Sequence, residues 1–301
     1  MHDERIPDRW LRVFVSAAHR GNFTTAAADL GIGQPAVSHT IRRLEEVLGY
    51  PVFTRGPAGA SLTDAGRMLF DGVNDAFARL DDAVRAARRA DGSDAVGLAV
   101  STSLATYWLL PRLPEFKTRH PDIELRVSTD DTDLSVGADG ADIWIPHGHG
   151  DWPGFDRWHL ATETIYPVAA RGLAGAGAWG VDRMFDELPL LHLDERYRPR
   201  MDWTTWRDAV SGQGDVPTGA HFSDYTLVLH AAMSGQGVAL GWHHIVEPLV
   251  AAGQLVRLTD AIVTTERPFE VLARADRPLS AAAAALRDWL IEEAAAPADV
   301  T

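Results

Sequence analysis

Apolar residues recur at helical spacing from the start of the chain. In RWLRVFVSAAHR, residues 9–20, the side chains Trp10, Leu11, Phe14, Val15 and Ala18 share one face. Gly21-Asn22 ends that helix, and Thr24 stands where it can cap a short second one over 25–30. Gly31-Ile32-Gly33 reads as a tight turn, and a third helix is predicted over 34–48. There Ala36-Val37, Ile41, Leu44 and Leu48 make a buried face, and Pro35 fits the first turn, where its missing N–H has no helical partner. The opposite face carries Gln34, Ser38, His39, Arg42 and Arg43. A short helix, a glycine turn and a second helix with an Arg-bearing outer face form the helix-turn-helix pattern. Gln and Arg bond base edges bidentately, while Ser, Thr and Arg bond phosphates. Gly49-Tyr50-Pro51 breaks the chain, and Val52–Thr54 and Ala60–Leu62 read as two short strands around RGPAG. That hairpin is a wing with Arg55 at its base. The competing reading is a small helical subdomain with incidental arginines.

Thr63 is positioned as the N-cap of a long helix over 64–91, about 42 Å if straight. Phe70, Val73, Phe77, Leu80 and Val84 are spaced 3, 4, 3 and 4 along it. This narrow heptad seam on a charged helix suits a partner helix, so the seam is read as a dimerisation surface. Packing onto its own domain is the alternative.

Beyond Gly92 the pattern alternates between strand and helix. Strands are expected at 96–101, 123–129, 143–145, 164–170, 190–193 and 238–242, and helices at 105–118, 203–210, 224–235, 244–252 and 280–294, the first interrupted by Pro111 and Pro114. Such alternation implies parallel sheets covered on both faces, in two small lobes, with ligands in the crevice at the carboxyl ends of strands.

Composition refines this picture. The net charge of −14 argues at first against nucleic acid, but it is unevenly spread. Residues 1–92 hold 12 Arg and 12 acids, whereas residues 93–301 hold 16 basic and 30 acidic residues. The N-terminal segment suits DNA and the remainder does not. With no Cys, disulfides, thiolate catalysis and Cys-ligated metal are excluded. The N-terminus lacks a signal-peptide pattern and no apolar run reaches a membrane-spanning length, so a cytoplasmic protein with no membrane partner is expected.

The segment LRVFVSAAHRGNFTTAAADLGIGQPAVSHTIRRLEEVLGYPVFTRGPAGASLTDAG, residues 11–66, resembles the LysR-type transcriptional regulators. QPAVSHTIRRLEE, LGYPVFTR and LTDAG carry the likeness most specifically. It continues in LLPRLPEFKTRHPDIELRV (109–127), Pro167-Val168-Ala169 and AAMSGQGVALGWHHIVEPLVAAGQLVRL (231–258). ADIWIPHGHGDWPGF (141–155) is similar to the branch holding glycine-cleavage activators and β-lactamase-inducing regulators. The resemblance implies an α/β chain with an N-terminal all-α winged helix-turn-helix, a long linker helix and a two-lobed effector domain like a periplasmic binding protein. The corresponding boundaries are 1–62, 63–92 and 93–301, with lobe I at 93–163 and 267–301 and lobe II at 164–266. It also implies a homodimer or dimer of dimers on a partly palindromic double-stranded operator, induction by a small molecule, and RNA polymerase as a further partner. Two positions depart from the family. Gly33 replaces the usual Ser or Thr cap, and His39 stands where Arg is common, which puts any inherited base preference in doubt.

On this reading Gln34, Pro35, Ser38, His39 and Arg42 face the major groove, with Asn22, Thr24 and Arg55 near phosphates or the minor groove. The effector is expected between the lobes. Thr102 and Ser103 open a helix where backbone N–H groups suit an anion, and across from them lie Trp144, His147, Ser223, Asp224, Tyr225 and Trp242. Aromatic faces plus a carboxylate fit a cationic head, so a zwitterion is expected, with a muropeptide-like ligand as the alternative. Glu163-Thr164-Ile165 and Thr265-Glu266-Arg267 are the expected crossovers between lobes. The formal GxGxxG at 175–180 lacks a full helix after it, and His147, His149 and Asp151 lack a metal-binding spacing, so no cofactor, metal or catalysis is expected. A metabolite-binding protein or enzyme using the C-terminal lobes, with an N-terminal dimerisation module, is the alternative class.

Overall fold

A computed structural model describes residues 6–56, 59–89, 95–131, 136, 137, 140–146, 150, 152–175, 179–194, 201–212 and 214–295. They fall into two compact units, one built mainly from Met1–Gly92 and one from Ser93–Val136 with Ala141–Thr301. Among the described residues no helix is long and apolar enough to cross a membrane.

The first unit is three helices, α1 (Asp8–Arg20), α2 (Phe23–Asp29) and α3 (Gln34–Leu48), a hairpin of β1 (Phe53–Gly56) and β2 (Gly59–Leu62), and the long α4 (Asp64–Arg89). Its core gathers Phe14, Ala17, Phe23, Ala26, Val37, Ile41, Leu44, Val52 and Phe53. Phe53 sets its ring edge-on against both Phe14 and Phe23, at 5.5 and 5.3 Å. Each such buried aliphatic or aromatic side chain contributes about 1.5–3 kcal/mol. The α2 cap differs from expectation. The Asn22 side-chain oxygen Oδ1, not Thr24, accepts from the N–H groups of Thr24 and Thr25 at 2.8 and 3.4 Å. Asn outranks Thr as a cap, and here it stands at the last extended residue before the helix.

The second unit holds β3 (Ala95–Val100), α5 (Thr102–Leu104), a π-helical turn over Ala105–Leu109, α6 (Leu110–Arg119), β4 (Glu124–Thr129), β5 (Ile143–Ile145) and β6 (Phe155–Ala169). There follow α7 (Arg171–Ala174), α8 (Val181–Glu187), β7 (Leu191–Leu193), α9 (Trp203–Ser211), β8 (Ala220–Phe222), α10 (Tyr225–Met233), β9 (Ala239–Trp242), α11 (His243–Ala251), β10 (Val256–Arg257), β11 (Val263–Arg274) and α12 (Ala281–Ala295).

The main sheet runs β10-β6-β11-β5-β3-β4, with β9 also on β6. Sequence periodicity predicts parallel sheets, and the sheet is mixed instead. β3 pairs in parallel with β4 and β5, but β6 is antiparallel to β9, β10 and β11. The long strands β6 and β11 run through both halves of the unit. Their pairing register shifts between Thr264 and Pro268, because proline cannot donate to the ladder. The first half of β6 and all of β11 escape the sequence reading. VTTERPFEVLAR alternates only imperfectly and carries a proline.

The prolines expected to interrupt the helix after β3 are accommodated by local rearrangement. Pro111 sits in the first turn of α6 and Pro114 inside it. The π turn precedes them, and an Arg112 guanidinium N–H donates to the Trp108 carbonyl at 2.9 Å.

Candidate nucleic-acid interface and effector crevice

Helix α3 divides cleanly into two faces. Val37, Ile41 and Leu44 are fully buried, whereas Gln34, Pro35, His39, Arg42 and Arg43 are exposed and Ser38 is half-buried. The Gln34 amide donates to the Ser38 hydroxyl at 3.0 Å, and Arg43 approaches Glu46 at 3.8 Å. Arg42 makes no ion pair with a described residue, so its charge is available for phosphate or a base edge. Asn22 and Thr24 are exposed at the start of α2, and the Asn22 oxygen is spent on the cap.

The hairpin is locked to this helix by a carboxylate absent from the expected site residues. Glu45 Oε1 accepts from the backbone N–H of Val52 and of Phe53, at 2.9 and 3.2 Å. The hairpin's second strand is tied to the α1–α2 turn, where Ala60 N–H donates to the Gly21 carbonyl at 2.9 Å. Gly66 closes the other side, because a Cβ there would come within 2.1 Å of the Val52 carbonyl oxygen. The glycine of LTDAG is therefore a packing requirement of the wing. The Arg55 side chain lies outside the described residues.

The apolar seam of α4 is shared between two uses. Phe70 packs on Phe14 at 6.5 Å, Val73 is buried, and the Arg12 guanidinium sits 4.6 Å over the Phe77 ring. These three positions face α1 of their own unit, whereas Leu80 is 52% exposed. The Val84 side chain lies outside the described residues.

In the second unit, α5 lies beside α10 where β3 ends. Of the expected site residues, Ser223 is exposed and Thr102 and Asp224 are half-buried here; Ser103, Trp144, Tyr225 and Trp242 are buried. His147 lies outside the described residues, as do His149 and Asp151. Two expectations need correction. Thr102 does not offer its donors to an external anion, because its N–H and its hydroxyl both donate to the Asp131 carboxylate, at 2.9 and 2.7 Å. Its neighbour Ser103 is only 1% exposed, with its hydroxyl 3.3 Å from that of Ser101. Nor do the expected aromatic residues stand together: Tyr225 and Trp242 belong to the main core and Trp144 to a separate cluster. Strand alternation sends Ile143 and Ile145 into the main core, so Trp144 faces the other way, packing with Phe155 at 5.5 Å and with Trp152 and Leu272.

Tyr225 and Trp242 are framework. Their rings meet edge-on at 5.0 Å. The Tyr225 hydroxyl donates to the Leu240 carbonyl and accepts from the Trp242 backbone N–H. Asp224 is the N-cap of α10, one oxygen accepting from Thr226 N–H at 2.7 Å. Above it the π turn delivers Tyr107, whose ring lies 6.2 Å from His230 on α10. The Tyr107 hydroxyl and the Thr226 hydroxyl are buried with no hydrogen-bond partner. Burial, and secondarily the Asp224 charge, hold the Tyr107 phenol above its usual range. Sequence reasoning missed Tyr107 and Asp131. The acidic pair Asp130-Asp131 directly after a predicted strand was the available signal for the second.

Among the described residues no group of three or more His, Asp or Glu side chains is arranged to hold a metal ion.

Comparison with known proteins agrees with both halves of this description. Residues 9–67 match the bacterial regulatory helix-turn-helix protein, lysR family, and residues 89–295 match the LysR substrate binding domain. The chain is 32% identical over 288 residues to the glycine cleavage system transcriptional activator of Escherichia coli K12, covering 95% of this chain and 93% of the relative. It is 34% identical over 293 residues to the transcriptional activator AmpR of Rhodobacter capsulatus, covering 96% and 98%. Among solved structures, the effector domain of AmpR from Pseudomonas aeruginosa superposes with a TM-score of 0.56 at 26% identity, covering 67% of this chain and 96% of that one. CrgA of Neisseria meningitidis, 22% identical with a TM-score of 0.57 and coverage of 96% and 99%, shares the fold.

Proposed function

The chain belongs to the LysR family of transcriptional regulators, and on that premise we propose how its own residues divide the work. Helix α3 enters the major groove, with Gln34, Pro35, Ser38, His39 and Arg42 toward the bases, and Asn22, Thr24 and Arg55 lie near phosphates. The observation that carries this reading is the division of α3 into a buried Val37-Ile41-Leu44 face and an exposed polar face whose Arg42 makes no ion pair with a described residue. His39 offers one donor and one acceptor where a guanidinium would offer a fork, so the operator differs from those read by an Arg at this position. Two chains pair through the outer side of α4, around Leu80 and Val84, on a partly palindromic site.

The effector binds beside α5 and α10. Asp131 and Asp224 make that crevice negative, and the unpartnered Tyr107 and Thr226 hydroxyls add hydrogen-bonding capacity. A metabolite bearing an ammonium group suits it, the cation toward Asp224. A free carboxylate at the other end gains nothing from Thr102, whose donors Asp131 already takes. Calorimetry on the full chain with a panel of amino acids, their amides and quaternary amines tests this. Saturable binding that Asp224→Ala abolishes supports the assignment. Binding of a purely aromatic acid, indifferent to Asp224→Ala, overturns it and leaves the regulator assignment intact.

A further inference from the structure

A second cavity, of about 550 Å³, shares none of its lining residues with the Thr102–Asp224 crevice. Its walls come from the π turn, the middle of β6, the start of α11 and the end of α12. It is therefore bounded by elements far apart in the sequence. Its size falls within the range of small-molecule sites.

The lining has a fixed charge pattern. Trp108, Leu160 and Ile291 supply apolar surface. Two carboxylates border the cavity, Glu247 on α11 and Glu293 on α12, against one guanidinium, Arg112. Arg112 is engaged three ways. It donates to the Trp108 carbonyl, lies 5.0 Å over the Trp108 ring and approaches Glu293 at 3.8 Å. It cannot neutralise both acids. Glu247 has no hydrogen bond or ion pair with any described residue. Three imidazoles also line the cavity: His243, whose Nδ1 is hydrogen-bonded to the Tyr166 hydroxyl at 2.9 Å, His159, whose Nε2 lies 3.4 Å from the Thr162 hydroxyl, and His244, against the Phe269 ring at 3.7 Å. Burial, with Glu115 adding to it and Arg112 and Arg119 opposing it, holds the Glu293 carboxyl above its ordinary range. The surplus of 30 acids over 16 basic residues beyond residue 92 draws cations to this unit as a whole.

We propose that this cavity binds a small aliphatic diamine, one ammonium group on Glu247 and the other on Glu293, with the methylene chain along Trp108, Leu160 and Ile291. The bond at Glu247 gives a partner to a carboxylate that has none among the described residues, and the bond at Glu293 adds to a carboxylate that Arg112 reaches only at 3.8 Å. With Glu247 on α11 and Glu293 on α12, the diamine favours the arrangement of these two helices at which both carboxylates are reached, which makes it a modulator of the domain that also holds the effector.

The test is calorimetry of the full chain, free of DNA, with 1,5-diaminopentane as titrant. The expected result is saturable one-to-one binding, weakened at least tenfold in Glu247→Gln and in Glu293→Gln, absent with 1,5-pentanediol and unchanged in Asp224→Asn. Circular dichroism shows that the variants fold. No saturable binding, diffuse multi-site binding indifferent to both glutamine variants, or binding lost only in Asp224→Asn would overturn the proposal.

Discussion

The Trp242 indole N–H donates to Glu163 Oε1 at 2.8 Å, and the other oxygen of that carboxylate accepts from the Thr265 hydroxyl at 2.6 Å. Glu163 is only 4% exposed and lies on β6, and Thr265 lies on β11, so one buried acid ties the two long strands together. Trp242 in turn bonds the Tyr225 hydroxyl through its backbone N–H, at the first residue of α10. A chain of contacts thus runs from β6 and β11 to the residue beside Asp224. Replacing Glu163 by Ala strands two buried donors, each costing about 1–3 kcal/mol. Urea unfolding followed by tryptophan fluorescence should show a loss of about 2–5 kcal/mol. Glu163→Gln, which keeps one acceptor, should lose less, and an unchanged midpoint in both variants would remove the carboxylate from this role.

The wing rests on Gly66. A methyl group there meets the Val52 carbonyl oxygen, which is backbone and cannot swing aside. Gly66→Ala should destabilise the first unit by about 1–3 kcal/mol and weaken DNA binding in proportion. Normal thermal stability together with normal operator affinity would show that the close approach is relieved at no cost.

Two positions on α4 separate folding from assembly. Phe70→Asp buries a charge against Phe14 and should unfold the first unit. Leu80 is half-exposed, so Leu80→Asp should leave folding intact and shift sedimentation toward a monomer. If Leu80→Asp sediments as wild type, the seam is an intramolecular surface alone.

The rings of His192 and His221, register partners on β7 and β8, stack 4.6 Å apart at 9°. Burial, and then the neighbouring His221, hold the His192 pKa below its ordinary 6.5. The unfolded chain therefore binds the proton first as pH falls. This contribution raises stability with pH up to about 6.5, levels off above it, and is lost on acidification below it. The urea midpoint should drop between pH 7 and pH 5.5, and less so in His192→Gln. An equal drop in both proteins would assign the effect to other groups.

Much of the first unit was legible because its helices are short, periodic and bounded by glycine, so Val37, Ile41 and Leu44 announce their face directly. The crevice was less so. Thr102 reads as an anion site until Asp131, 29 residues away, is seen capping it. Trp144 reads as a ligand contact at a strand end, yet alternation with two core isoleucines turns it to the other face of the sheet. Tyr107 is brought onto α10 by a π turn that no helical periodicity encodes. Asn22 outcompetes Thr24 as a cap by lying two residues earlier. In each case the deciding interaction is long-range or depends on a single residue of register.

Fluorescence anisotropy of the full chain with the DNA upstream of its own coding sequence, titrated with salt and compared with random duplex, tests the placement of α3 most directly. Arg42→Ala should weaken binding to both duplexes alike and lower the salt slope by about one. His39→Ala should instead erode the preference for the upstream DNA while leaving the salt slope in place. Wild-type affinity, slope and preference in both variants at moderate salt would contradict the placement of α3 in the major groove.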